Sequence, residues 1–145
     1  MLMFKFGEPH HGWLPVRIEA ANQVYEFEAS DVPSDPLERL IDALRAALNG
    51  YEREIWWHLE PDGYYLNIAS ISDEYEVSLY FAENSKISSK IHLFTYQASF
   101  SKAILPIWRA LRSFYAYDYE EPHWPNEPDV EIRRLTQQIR RHGEV

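Results

Sequence analysis

The sequence predicts one α+β domain spanning residues 1–145, built on an antiparallel sheet of five to seven strands. Alternating apolar and polar residues, bounded by glycine, proline or asparagine, indicate strands that form hairpins and a meander. Apolar stripes at helical spacing over 35–49 and 101–115 predict two helices packed on one face of this sheet. A third stripe over 128–143 predicts a C-terminal helix at an edge.

The N-terminal part of the chain predicts a strand followed by a hairpin. Residues 2–6 alternate weakly in polarity, and a loop rich in glycine and histidine follows them. The segments on either side of Asn22 are predicted to pair with Ile18 opposite Phe27.

The first helix has the clearest local signal in the chain. Asp35 is predicted as the N-cap, Pro36 as the first helical residue and Glu38 as the third, which together make a capping box. Asn49 and Gly50 provide the C-terminal stop. The sequence therefore predicts a helix from Asp35 to Asn49.

Residues 55–81 predict a meander of three antiparallel strands, around which the rest of the chain is organised. A loop at 60–63 contains a proline that sets a turn and a glycine that accepts a positive φ. Closing this loop pairs Trp57 with Leu66, and a second reversal at 72–73 pairs Leu66 with Leu79. These apolar residues are predicted to face the core.

The opposite face of the meander is the first candidate for binding. It combines aromatic rings with hydrogen-bonding groups, a mixture enriched at interfaces, in the side chains of Trp56, His58, Tyr65, Asn67 and Tyr80. The alternative is that a helix or a neighbouring subunit covers these residues.

After the meander, residues 91–96 predict a further strand with His92 on the same side as Phe94 and Tyr96. The helix over 101–115 contains Pro106 in its first turn or two, where proline is tolerated better than in the middle.

The segment from Tyr117 to Trp124 is the second candidate surface. Its aromatic residues and carboxylates suit a basic protein partner, and the candidate residues are Tyr117, Tyr119, Glu120, Glu121 and Trp124. The alternative is a connector whose aromatic side chains pack on the core.

Composition restricts the classes of function. The formal net charge of −9 disfavours nucleic acid and favours basic partners. The chain has no cysteine, which excludes disulfides, thiolate nucleophiles and cysteine zinc sites. Because no signal peptide or membrane-spanning segment is recognisable, we expect a soluble cytoplasmic protein with no membrane partner.

The chemistry-bearing residues form no recognisable catalytic motif. The sequence lacks a G-x-S-x-G elbow and a phosphate-binding loop, and we expect neither a cofactor nor a metal. His10, His11 and His123 lie in loops without the helical spacing of metal ligands.

The sequence therefore predicts a non-catalytic protein-binding domain that neutralises a basic partner, by physical analogy with immunity proteins. One alternative is an enzyme or small-ligand binder with a pocket near His10, His11 and His123. Another is a homodimer formed through the aromatic sheet face.

Overall fold

The computed structural model describes residues 1–85, 90–117, 119, 123–125 and 129–143. The strands are β1 (Met3–Phe6), β2 (Trp13–Ala20), β3 (Gln23–Ser30), β4 (Arg53–His58), β5 (Gly63–Ile71), β6 (Glu74–Ala82) and β7 (Lys90–Ala98). The helices are α1 (Pro36–Leu48), α2 (Phe100–Ala103), α3 (Leu105–Tyr115) and α4 (Asp129–Gly143). None of these described helices is long and apolar enough to cross a membrane.

The strands form two antiparallel sheets, one ordered β1-β2-β3 and the other β4-β5-β6-β7. The predicted α+β class with antiparallel pairing is confirmed, but the prediction of one sheet with five to seven strands is wrong. Helix α1 separates β3 from β4 along the chain, and each sheet closes through its own hairpins. Periodicity within a strand does not indicate which ladder the strand joins.

The inner faces of the two sheets meet in one core. Phe27 of β3 stacks on Tyr64 of β5 with ring centroids 4.3 Å apart, and it contacts Trp57 edge-on at 6.0 Å. Tyr25 stacks on Phe94 of β7 at 5.7 Å. Buried side chains from all four helices join the same hydrophobic cluster, so the helices close the space around the two sheets.

Helix α1 begins as predicted. Asp35 caps it, and its Oδ1 accepts a 2.9 Å hydrogen bond from the amide of Leu37, while Pro36 occupies the first position. Its apolar stripe packs on β4 and β5.

The other helices differ in detail from the prediction. The predicted helix over 101–115 is two helices, and α3 starts with Pro106 in its first turn, where the missing amide costs no intrahelical bond. Helix α4 packs mainly on α1 and α3, and its His142 also contacts Tyr75 of β6. Arg45 of α1 joins it through an ion pair with Glu131 at 3.1 Å and a hydrogen bond to Gln138 at 3.3 Å.

Two hairpins have a register that differs by two residues from the predicted one. Ile18 lies opposite Tyr25 rather than Phe27, because Ala21 and Asn22 form a two-residue turn with left-handed backbone at both positions. Trp57 lies opposite Tyr64 rather than Leu66.

The β4–β5 loop explains the second shift. It begins at Leu59, one residue earlier than predicted, and His58 pairs with Gly63. The left-handed residue is Glu60 (φ 83°), not Gly63. A shift of two residues keeps every side chain on its face, so Trp57 still points inward. The β5–β6 pairing, with Leu66 opposite Leu79, is confirmed.

Candidate functional site

The outer face is the side of the four-stranded sheet that carries Trp56, Tyr65, Tyr80 and their neighbours. Trp56 of β4 lies opposite Tyr65 of β5, which lies opposite Tyr80 of β6, which in turn lies opposite His92 of β7. This register brings four aromatic rings into one row across the sheet. Asn67 belongs to the next row, and its amide donates a 3.2 Å hydrogen bond to the Glu52 carboxylate.

The outer face is separate from the hydrophobic core. The core cluster contains buried side chains from all four helices but no residue of the outer face. Tyr65, Ala69 and Ala82 are buried yet lie outside that cluster. Trp56 and Tyr80 are half-buried and are not among the side chains packed against the core. Their remaining surface faces solvent.

Lys90 fixes two of the rings. Its ammonium lies 4.2 Å from the ring centroid of Tyr65 and 5.7 Å from that of Tyr80, both within cation–π range. Glu54 pairs with the same ammonium. The Tyr65 hydroxyl donates a 2.7 Å hydrogen bond to the carbonyl of Ser85. Burial raises the pKa of Tyr65 above its ordinary value, so this phenol stays neutral.

Trp56 is held by contacts on three sides. Its indole N–H donates a 3.0 Å hydrogen bond to Nδ1 of His58, and its ring lies 4.7 Å from that of Tyr65. The ring also covers Gly63, where an added Cβ would lie 2.5 Å from the indole. These contacts restrict the position of the Trp56 ring.

His92 belongs to the outer face, contrary to the prediction that placed it with Phe94 and Tyr96. A β-bulge opposite Leu79 and Tyr80 inserts Leu93 as an extra residue and reverses the side on which His92 lies. The His92 ring lies 5.3 Å from that of Tyr80. Alternation alone cannot reveal a bulge, so this placement of His92 could not be predicted.

Four carboxylates share the outer face with the aromatic row and lie to one side of it. The acidic residues at outer-face positions are Glu52, Glu54, Glu74 and Glu76. Glu74 accepts a 3.1 Å hydrogen bond from Gln97, and Glu54 pairs with Lys90. This side of the outer face therefore carries an excess of negative charge.

The second predicted surface, from Tyr117 to Trp124, is only partly on the surface. Trp124 is 1% exposed and contacts Phe114 in the core, so it is not available as an anchor for a partner. Tyr119 stacks on the same Phe114 at 4.6 Å. Tyr117 is 70% exposed, as the prediction requires. Residues 120 and 121, the predicted carboxylates, lie outside the described residues.

The three loop histidines come together. Ring centroids are 4.3 Å apart for His10 and His11, 4.7 Å for His11 and His123, and 5.3 Å for His10 and His123. A ligand nitrogen from each lies within 4.8 Å of the others. The sequence indicates these three histidines as candidates. Their proximity could not be predicted, because the contact joins positions 112 residues apart.

No family model, curated protein or solved structure matches this chain.

A large cavity lies between β1 and α3. It has a volume of about 1160 Å³ and is lined by apolar side chains such as Phe4 and Phe114. The charged side chains of Lys5, Lys102 and Arg109 also line it. The predicted alternative placed a pocket near the three histidines, but these do not line the cavity.

Hydrogen bonds restrain His92 on the outer face. A hydrogen-bonded chain runs from His92 through Thr95 (2.7 Å) to Ser78 (3.0 Å). Ser78 is only 2% exposed and cannot reach a substrate. These hydrogen bonds therefore position His92 instead of activating a nucleophile.

Proposed function

We propose that this protein is a non-catalytic binding domain that takes a basic protein partner on its outer face. One observation carries the proposal: Trp56 and Tyr80 keep exposed ring surface while neither belonging to the core nor packing against it. Side chains that lie outside the core and do not pack against it contribute little to folding. Their rings are free to be buried by another molecule.

The aromatic row has the properties of a binding hot spot. Tryptophan and tyrosine dominate such spots because they bury a large area with few rotatable bonds. Here the hydrogen bond to His58 and the contact with Lys90 already restrict the Trp56 and Tyr65 rings. Binding therefore orders few additional groups, which lowers its entropy cost.

Charge selects the class of partner. The outer-face carboxylates lie beside the rings, and the whole chain carries a formal net charge of −9. Opposite charges accelerate encounter and exclude acidic competitors. A basic enzyme or toxin that this chain neutralises fits these properties, since blocking a basic surface needs contact area and negative charge but no catalysis.

A matched pair of variants tests the proposal. Tyr80→Ala removes an outer-face ring, and Val24→Ala removes an exposed apolar side chain from the other sheet, where Val24 is 50% exposed. We expect the wild type and Val24→Ala to capture the same basic protein from a native lysate. Tyr80→Ala should weaken that capture by roughly tenfold or more, the loss typical of a hot-spot residue.

Stability is measured beside capture. Tyr80→Ala should change the free energy of unfolding by less than about 1 kcal/mol, as is usual away from the core. A loss of several kcal/mol would assign the ring to folding. Equal capture by both variants would contradict the proposal, as would a concentration-dependent dimer that Tyr80→Ala dissociates, because the face would then serve self-association.

A further inference from the structure

We propose that His10, His11 and His123 form a binding site for one divalent transition-metal ion of the zinc type. This site lies at the β1–β2 turn and is independent of the proposed outer-face function. Three imidazole nitrogens within 4.8 Å of one another are the observation on which the proposal depends.

The backbone preorganises the cluster. His10 and Trp13 exchange two hydrogen bonds of 2.9 and 3.0 Å, which close a tight turn with left-handed backbone at His11 (φ 51°) and Gly12 (φ 83°). The amide of Gly12 donates a 2.8 Å hydrogen bond to the carbonyl of His123. The buried neighbour Trp124 anchors the second loop in the core. Neither loop can leave the other without breaking these contacts.

The side chains need only small movements to bind a metal. Tetrahedral zinc holds nitrogen ligands about 3.3 Å apart, given Zn–N distances of about 2.0–2.1 Å. Since His10 and His11 are exposed, their rings can rotate without repacking the core. The His11 amide donates a 3.2 Å hydrogen bond to Nδ1 of His123, and coordination through Nδ1 would replace this exposed contact.

The donor set selects the metal. Imidazole suits zinc, copper and nickel, whereas magnesium and calcium require oxygen ligands. Asp31 lies next to the turn, and its amide donates a 2.9 Å hydrogen bond to the carbonyl of Gly12. Its carboxylate oxygen would lie 2.7 Å from a Cβ added at Gly12, so negative charge is close to the cluster. Three protein ligands leave the fourth position to water or another ligand.

The test is zinc titration of untagged, metal-free protein, monitored by calorimetry. We expect one equivalent to bind, and an equal concentration of magnesium to give no signal. His10→Ala and His123→Ala should each weaken zinc binding by at least about tenfold, because even outer-shell losses have that effect. His11→Asn serves at the third position, since asparagine tolerates left-handed backbone.

His142→Ala is the matched control, because it removes an exposed histidine outside the cluster and should bind zinc like the wild type. If a cluster variant fails to fold, NMR spectra of the histidine imidazoles in the wild-type protein test the proposal instead. Zinc below one equivalent should perturb those of His10, His11 and His123 first. Absence of zinc binding, equal affinity in all folded variants, or first perturbation of other histidines would overturn the proposal.

Discussion

Gly63 shows how a single residue without a side chain shapes the outer face. The Trp56 indole and the carbonyl of Trp57 both lie where a Cβ would project, the latter at 2.2 Å. The backbone of Gly63 does not have a positive φ, so close approach explains the glycine better than turn conformation does. The ring of Trp56 can approach the first residue of β5 this closely only because this position has no side chain.

Gly63→Ala should therefore destabilise the protein by about 1–3 kcal/mol or more, the usual cost of overpacking. Gly143→Ala is the matched control, because among the described residues no atom beyond its chain neighbours and its own helix backbone lies within 4 Å of the added methyl group, and alanine favours helix. Urea unfolding of the two variants measures the difference. Equal stabilities would mean that both the Trp56 indole and the Trp57 carbonyl move away from the added methyl group without cost.

Asp35 gives a pH dependence of stability. Burial raises the pKa of this N-cap carboxyl from 3.8 to about 6, and among the described residues its Oδ2 has no hydrogen-bond partner. Between these two pH values the folded protein binds more protons than the unfolded chain. The free energy of unfolding should therefore fall as pH rises from about 4 to about 6.

Asp35→Asn keeps the capping oxygen and removes the titration. The wild-type free energy of unfolding, minus that of this variant, should decrease across the same window by at most about 3 kcal/mol. Urea unfolding at several pH values measures this difference, in which the other titrating groups cancel. A difference that is constant or rises with pH would contradict the assignment.

At the scale of secondary-structure elements, the sequence alone predicts those features that depend on neighbours along the chain. The capping residues of α1, the alternation in the strands and the β5–β6 register are all local patterns. A two-residue error in two hairpins left the inner and outer faces unchanged, because strand side chains repeat with period two.

The features that could not be predicted depend on contacts between distant residues. The bulge that turns His92 outward and the division into two sheets arise from strand pairing, not from composition. The histidine cluster needs a loop contact across 112 positions. The burial of Trp124 likewise requires knowing which loop lies on α3.

Substitutions distinguish core positions from surface positions in the segment from Tyr117 to Trp124. Trp124→Ala should destabilise the protein by about 3–5 kcal/mol, as is typical of removing a buried tryptophan, whereas Tyr117→Ala should have almost no effect. Thermal and urea unfolding measure both. A stable Trp124→Ala variant that loses partner binding would restore Trp124 as a surface anchor.

For the whole molecule, the excess of negative charge predicts a salt dependence. With a formal net charge of −9, the chain should associate with a basic partner faster at low ionic strength. Raising the salt concentration should lower the association rate constant more than it raises the dissociation rate constant. Surface plasmon resonance measures both rate constants. An association rate constant that does not change with salt concentration would contradict electrostatic steering.

Site-specific photo-cross-linking in cells tests the outer face most directly. A photoreactive residue replaces Tyr80 in one variant and Val24 in the other, since both side chains are partly exposed but lie on different sheets. We expect the cross-linker at position 80, and not at position 24, to capture a basic protein that mass spectrometry identifies. No cross-link from position 80, or the same products from both positions, would contradict the claim that this face binds a partner.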